Sequence, residues 1–181
     1  MDSKQIIKRS KLLSLVLRHR PEKLGLTLDS GGWVDVDTLL KACKQRNIQL
    51  SRAMLDIVVR DNNKQRFSYS EDGLRIRANQ GHSIEVDLGL SPTTPPTILY
   101  HGTAHFNVSS IQEQGLLKQN RQYVHLSADT ETALNVGQRH GRPVLFTVQA
   151  EKMHEAGYAF YISDNGVWLT DTVPPAFLEL D

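Results

Sequence analysis

The side chains best suited to chemistry begin with Leu17-Arg18-His19-Arg20-Pro21, where two guanidiniums and an imidazole stand beside a proline. An arginine offers a planar fork of donors that matches phosphate geometry, and an adjacent histidine adds a donor that titrates near neutrality. A plainer account competes with a phosphate site. Cations near a helix C-terminus are favoured by the helix dipole, by roughly 0.3–1 kcal/mol each, and clustered charge is usually a solvated face. Arg66, in Lys64-Gln65-Arg66-Phe67, stands where a hairpin pattern starts, and Gln80-Gly81-His82-Ser83 is a turn rich in donors. The second half offers His101-Gly102-Thr103, Arg121, His125 and Ser127. Read as residues alone, His101 satisfies a strand end equally well, His125 is a half-buried strand residue and Arg121 a solvated loop charge. The single cysteine, Cys43, has no partner for an internal disulfide and lies in an amphipathic pattern, as a buried structural thiol would. The seven histidines show no tight spacing with cysteine or carboxylate partners, so no metal is expected.

These groups must be positioned by regular elements. From Ser3, the residues Ile6, Ile7, Leu12, Leu13, Val16 and Leu17 predict a helix with one dry side, and Pro21 disfavours helical geometry at Arg20 and stops it. Leu24 to Leu28 alternates like a short strand, and Gly31-Gly32 turns the chain into Trp33-Val34-Asp35-Val36. Asp35 or Asp37 is expected to cap a helix carrying Leu39, Leu40 and Cys43, with Asn47 at its end, and Ser51 to open another. Phe67 to Ser70 and Leu74 to Arg77 alternate across Glu71-Asp72-Gly73, a hairpin signature. Helices followed by a hairpin make the layout of a winged helix, a fold that does not by itself fix function. Ser91-Pro92-Thr93-Thr94-Pro95-Pro96 reads as a stiff linker, preceded by an expected strand over Ile84 to Leu90.

Beyond the linker, short strands alternate with small helices. Ile98-Leu99-Tyr100 leads into His101; Asn107 is expected to cap a helix ending at Gly115; Tyr123 to Ser127 reads as a strand, and Asp129 as the cap of a helix to Gly137. Val144 to Val148 is a buried-looking strand, and Ala159 to Ile162 forms a hairpin with Val167 to Leu169 across Ser163-Asp164-Asn165-Gly166.

The bulk numbers narrow the function classes. With 181 residues the chain holds one large domain or two small ones, and its 39% hydrophobic and 23% charged residues give no case for disorder. No apolar run reaches membrane-spanning length and the N-terminus lacks a signal-peptide core, so a cytoplasmic protein is expected. The net charge of +1 hides a division: residues 1–83 hold 16 basic and 9 acidic groups, +7, and residues 84–181 hold 5 and 11, −6. A basic module that meets a polyanion is implied, nucleic acid foremost, joined to a module with another task. The absence of a phosphate-binding loop and of Gly-x-Gly-x-x-Gly after a strand disfavours ordinary ATP and dinucleotide folds.

Taken in order, Leu17 to Pro21, Gly32-Trp33-Val34, Lys64 to Phe67, Ile76 to Ser83, His101-Gly102-Thr103, Gly115-Leu116, Arg121 to Ser127 and Gly141-Arg142-Pro143-Val144 resemble the RNA 2′-phosphotransferase family. Composition and periodicity do not yield this identification. The resemblance implies an α+β architecture: a winged-helix lobe over residues 1–90, a linker at 91–96 and a lobe of the ADP-ribosyltransferase fold over 97–181, with the active site in the cleft between them. It places an Arg-His-Arg-Arg tetrad on Arg18, His19, Arg66 and Arg121, and NAD, consumed as co-substrate, on His101, Gly102 and Thr103, with His125 and Ser127 as further contacts.

The implied reaction has two steps. The 2′-phosphate of an RNA, such as a tRNA splice junction, attacks the anomeric carbon of the nicotinamide ribose and expels nicotinamide. The ribose 2″-hydroxyl then attacks the same phosphorus, releasing 2′-hydroxyl RNA and ADP-ribose 1″,2″-cyclic phosphate. His19 is a phosphate clamp or a proton donor and Arg20 keeps its structural account; a monomer with no metal and no membrane partner is expected. Two other readings stand beside this one: transfer of ADP-ribose to protein or to nucleic-acid ends, and a non-catalytic winged-helix nucleic-acid binder, for which the helix from Ser51 offers only Arg52 and Arg60.

Overall fold

The computed structural model describes residues 2–181, which fold as two compact units: one ending at Gly89, the other Leu90–Asp181. Helices and small antiparallel sheets are mixed in both, and all the paired strands among the described residues run antiparallel.

In the N-terminal unit α1 (Ser3–Arg18) starts at Asp2, whose carboxylate accepts from the Gln5 N–H. Its buried face is Ser10, Leu13, Val16 and Leu17. Ile7, expected on the dry side, is 55% exposed, because the first two turns extend past the core that receives the later ones. The helix ends at Arg18 with His19 as its cap, and Pro21–Leu24 forms a 3-10 turn. No strand follows. The Leu26 N–H returns to the Pro21 carbonyl, so the alternating leucines bury themselves without pairing. Next come β1 (Val34–Asp35) and α2 (Val36–Gln45), capped by the Asp35 carboxylate on the Thr38 N–H. Ser51 caps α3 (Arg52–Arg60) through the Met54 N–H.

The expected hairpin is β2 (Phe67–Tyr69) and β3 (Arg75–Ala78), with β1 on the other edge of β3. Its turn is tied by Asp72, which accepts from the Ser70 hydroxyl and the Leu74 N–H. Leu13, Leu17, Leu39, Leu55, Phe67 and Ile76 meet in one core. Cys43 lies within it, and burial pushes its thiol up, away from the thiolate a nucleophile requires. Ile84 to Leu90, expected as a strand, pairs with no strand. Buried Val86 anchors it, and the Asp87 N–H reaches the Ser30 carbonyl.

The C-terminal unit begins with the proline-rich segment, whose Thr93 N–H pairs with the Phe160 carbonyl. Then follow β4 (Leu99–Ala104), α4 (Val108–Gln114), β5 (Leu116–Leu117), β6 (Val124–Leu126), α5 (Thr130–Gly137), β7 (Pro143–Val148), α6 (Ala150–Glu155), β8 (Phe160–Ile162), β9 (Trp168–Thr170), β10 (Thr172–Val173) and β11 (Leu178–Leu180). The sheets are ordered β11-β7-β4, β6-β9-β8 and β10-β5, with a bridge between Tyr100 and Ser127 joining β4 to the end of β6. Asp129 caps α5 as expected, through the Thr132 N–H. Asn107 does not cap α4 with its side chain. Its amide instead donates to the Thr103 hydroxyl at 3.0 Å, and a 3-10 turn over His105–Asn107 leads into the helix. Leu99, Leu126, Phe146, Val148, Met153 and Phe160 form a second core. Among the described residues no helix is long and apolar enough to cross a membrane, and no three His, Cys, Asp or Glu side chains converge as metal ligands would.

Candidate active site

Three of the four tetrad positions lie in the N-terminal unit, and one short segment ties them together. The Asn79 N–H donates to the Arg66 carbonyl, and four residues on the Ser83 N–H donates to the Arg18 carbonyl, both at 2.9 Å. A chain spans at most about 3.6 Å per residue, so Asn79 to Ser83 holds the start of the hairpin close to the end of α1. Gly81 makes the turn between these anchors. It has φ +87°, a left-handed conformation that favours glycine, and the Arg18 guanidinium lies on the side where a Cβ would project, 3.5 Å from such an atom. Ser83 Oγ is 2.9 Å from His19 Nδ1.

Arg66 is held from its other side. Asn62, 6% exposed, accepts from Arg66 Nη1 at 3.1 Å and from the Lys64 N–H, while its own amide donates to Ser10 of α1. Arg20, one residue beyond the cluster, is exposed and pairs with Glu22, whose carboxyl it pulls below the usual range. Its structural account therefore stands.

Between these groups His82 is 1% exposed, and neither ring nitrogen makes a hydrogen bond among the described residues. Burial, then the charges of Arg18, His19 and Arg77, push its pKa down to about 4, so the ring is neutral at pH 7. A neutral imidazole adds no further charge to an already cationic corner.

In the C-terminal unit β4 and β6 gather His101, His125 and Ser127. Tyr100 and Ser127 exchange both backbone hydrogen bonds, at 2.9 and 2.8 Å, and His101 Nδ1 is 3.0 Å from the His125 carbonyl. A carbonyl only accepts, so Nδ1 of His101 carries the proton and donates. Burial lowers the pKa of His101, with this bond opposing, and the neutral ring presents Nε2 as an acceptor. That suits a ribose hydroxyl, which needs an acceptor for its proton.

Gly102 and Thr103, on the same strand, are closely packed. A Cβ on Gly102 would lie 1.6 Å from the Ala133 carbonyl oxygen, so α5 crosses β4 with no room for a side chain. Gly137 of α5 makes the reciprocal approach, where a Cβ would lie 2.9 Å from Thr103 N and O. Thr103 is 8% exposed and its hydroxyl takes the Asn107 amide. The His-Gly-Thr run is thus a strand clamped by a helix, with alternation placing His101 opposite the clamped face.

Arg121 lies in the loop before β6, its N–H on the Lys118 carbonyl, and is exposed. What burial it has, and then the charge of Arg139, lower its titration while leaving it cationic at neutral pH. Two guanidiniums close enough to repel make a place that favours an anion. Arg139 and Asn62 were absent from the residues singled out by type, whereas Ser83 belongs to the Gln80 to Ser83 turn, whose run of donors was its sequence signal.

The chain is similar to known proteins over nearly its whole length. Residues 4–172 match the profile of the family described as RNA 2′-phosphotransferase, Tpt1 / KptA family. A protein of Nostoc punctiforme named "Probable RNA 2′-phosphotransferase" is 54% identical over 179 residues, 99% of each chain. Proteins of the same name from Trichormus variabilis and Herpetosiphon aurantiacus are 56% identical over 180 residues (99% of each chain) and 55% identical over 181 (100% of each).

Proposed function

Because the chain belongs to the RNA 2′-phosphotransferase, Tpt1 / KptA family, we propose that it removes an internal 2′-phosphate from RNA, such as a tRNA splice junction, at the expense of NAD. The observation that supports this reading is the Asn79–Ser83 segment, which ties the backbone of Arg18 and Arg66 and the ring of His19 to one short turn. In the same reading the N-terminal unit is the winged-helix lobe and the C-terminal unit the ADP-ribosyltransferase-fold lobe, with Arg121 completing the tetrad.

NAD supplies an electrophilic anomeric carbon and nicotinamide as the leaving group. His101 Nε2 accepts from a ribose hydroxyl, supported by the proton fixed on Nδ1; His125 and Ser127 lie beside it on the paired strand. Gly102 serves by letting α5 fix the strand. Arg18, Arg66 and Arg121 bind and orient the RNA 2′-phosphate, which as a dianion needs no carboxylate base to attack. Alignment of this kind supplies roughly 7–11 kcal/mol of a barrier. When the ribose 2″-hydroxyl then attacks phosphorus, charge grows on the phosphoryl oxygens and the same guanidiniums stabilise it. The products are 2′-hydroxyl RNA, nicotinamide and ADP-ribose 1″,2″-cyclic phosphate.

The test is incubation with NAD and an oligonucleotide bearing one internal 2′-phosphate. Conversion to 2′-hydroxyl RNA with one nicotinamide released per phosphate is expected; an intact 2′-phosphate after prolonged incubation refutes the reading. Arg18→Ala and Arg66→Ala should slow the second step more than the first, so that ADP-ribosylated RNA accumulates. Full turnover in both variants would remove them from the site.

A further inference from the structure

Two of the site histidines, His19 and His101, have chemically different partners, and the difference bears on what each can do. His101 Nδ1 faces a carbonyl, which only accepts and so fixes one proton position. His19 Nδ1 faces the Ser83 hydroxyl at 2.9 Å, which both donates and accepts. When His19 is neutral the Ser83 O–H is able to donate to Nδ1, which leaves the ring proton on Nε2. When the ring is protonated the N–H at Nδ1 donates to Ser83 Oγ, and Nε2 again carries a proton. One hydroxyl therefore serves both charge states of an Nε2–H ring.

Ser83 is placed for this by its backbone. Its N–H is fixed on the Arg18 carbonyl, and Gly81, two residues earlier, makes the turn with φ +87°. The same short turn therefore sets the main chain at the end of α1 and the ring of His19. We propose that Ser83 is a positioning residue for His19, holding the ring with a protonated Nε2 directed to the phosphate whether the imidazole is neutral or cationic. This rests on the proposed phosphotransferase reading of the site.

The consequence is specific. His19 then enters as a donor to a phosphoryl oxygen or to the departing RNA 2′-oxygen, not as a base that takes a proton at Nε2. Ser83 is exposed, so its replacement leaves the core intact, and water competes for the vacated nitrogen. The loss expected is that of one modest oriented hydrogen bond, roughly two- to tenfold in rate.

The experiment compares wild type, Ser83→Ala and Ser83→Thr in two measurements. Long-range proton–nitrogen NMR of the His19 imidazole reports which nitrogen carries the proton. Single-turnover conversion of a 2′-phosphorylated oligonucleotide at saturating NAD, from pH 5.5 to 8.5, reports the rates. Neutral His19 should be the Nε2–H form in wild type and in Ser83→Thr, and a mixture of forms in Ser83→Ala. Ser83→Ala should be slowed two- to tenfold with a shifted pH profile, an unchanged concentration dependence on NAD, and recovery in Ser83→Thr. A His19 ring in the Nδ1–H form, or the same tautomer and rate in wild type and Ser83→Ala, overturns the assignment; so does a Ser83→Thr variant as slow as Ser83→Ala. If wild type leaves the 2′-phosphate intact, the function reading fails while the NMR measurement still decides whether Ser83 sets the His19 proton.

Discussion

His82 should make the N-terminal unit sensitive to acid in a defined window. The ring is 1% exposed, and burial followed by the charges of Arg18, His19 and Arg77 holds its pKa at about 4, against about 6.5 in an unfolded chain. The unfolded state therefore binds the proton first as pH falls. Stability is unaffected by His82 above pH 6.5, declines as pH falls from 6.5, and has lost its full share below about 4. At 1.36 kcal/mol per pH unit that share is about 3 kcal/mol, a large part of what a small domain possesses.

The perturbation is His82→Gln, which keeps a polar side chain of similar bulk and removes the titration. Urea unfolding of wild type and variant at half-unit steps from pH 7.5 to 4 should give curves that converge in acid: wild type loses about 3 kcal/mol more than the variant across the window. The absolute stability of the variant is not the readout, since a buried amide carries its own cost; the difference in slope is. NMR titration of the His82 ring supplies the pKa directly. A ring that titrates near 6.5, or parallel stability curves, would refute the account of a neutral imidazole walled in by cations.

Asn62→Ala removes the acceptor that holds Arg66 Nη1 at 3.1 Å together with the tie to Ser10; phosphate conversion should slow roughly tenfold with about 1 kcal/mol lost in stability, and an unchanged rate would show Arg66 to be fixed by other means. Gly102→Ala drives a Cβ to 1.6 Å from the Ala133 carbonyl oxygen, so α5 must lift off β4; a loss of about 3 kcal/mol or more in unfolding of the C-terminal unit is expected, and wild-type stability would contradict the clamp. Asp35→Ala removes the α2 cap on the Thr38 N–H and should cost about 1 kcal/mol in urea unfolding without altering turnover in the phosphate assay; a variant as stable as wild type would contradict the cap.

Local physics made much of this protein legible in its sequence. Asp35, Ser51 and Asp129 announce their helices because a short oxygen-bearing side chain satisfies an N–H three residues on, a rule confined to one turn. The hairpin over Glu71-Asp72-Gly73 follows from turn chemistry, and the end of α1 from Pro21. Alternation misled where pairing partners were the missing information. Leu24 to Leu28 and Ile84 to Leu90 have the pattern of strands, but a strand exists only if another edge is within reach. Asn107 has the type of a cap, yet the Thr103 hydroxyl was nearer to its amide.

The candidate site positions were legible through the ordered motifs that resemble the family, since by type alone a solvated charge or a strand histidine accounts for each. What holds them was not. Asn79 joins Arg66, Ser83 joins Arg18 across sixty-five residues, Ser10 joins Asn62 across fifty-two, and His101 finds its proton acceptor on His125. Sequence determined which groups are present and where the local elements begin. Tertiary structure decided which nitrogen of His101 bears the proton, why His82 stays neutral and which hydroxyl His19 meets, because hydrogen bonds and desolvation depend on atoms within a few ångströms, and those atoms come from distant parts of the chain.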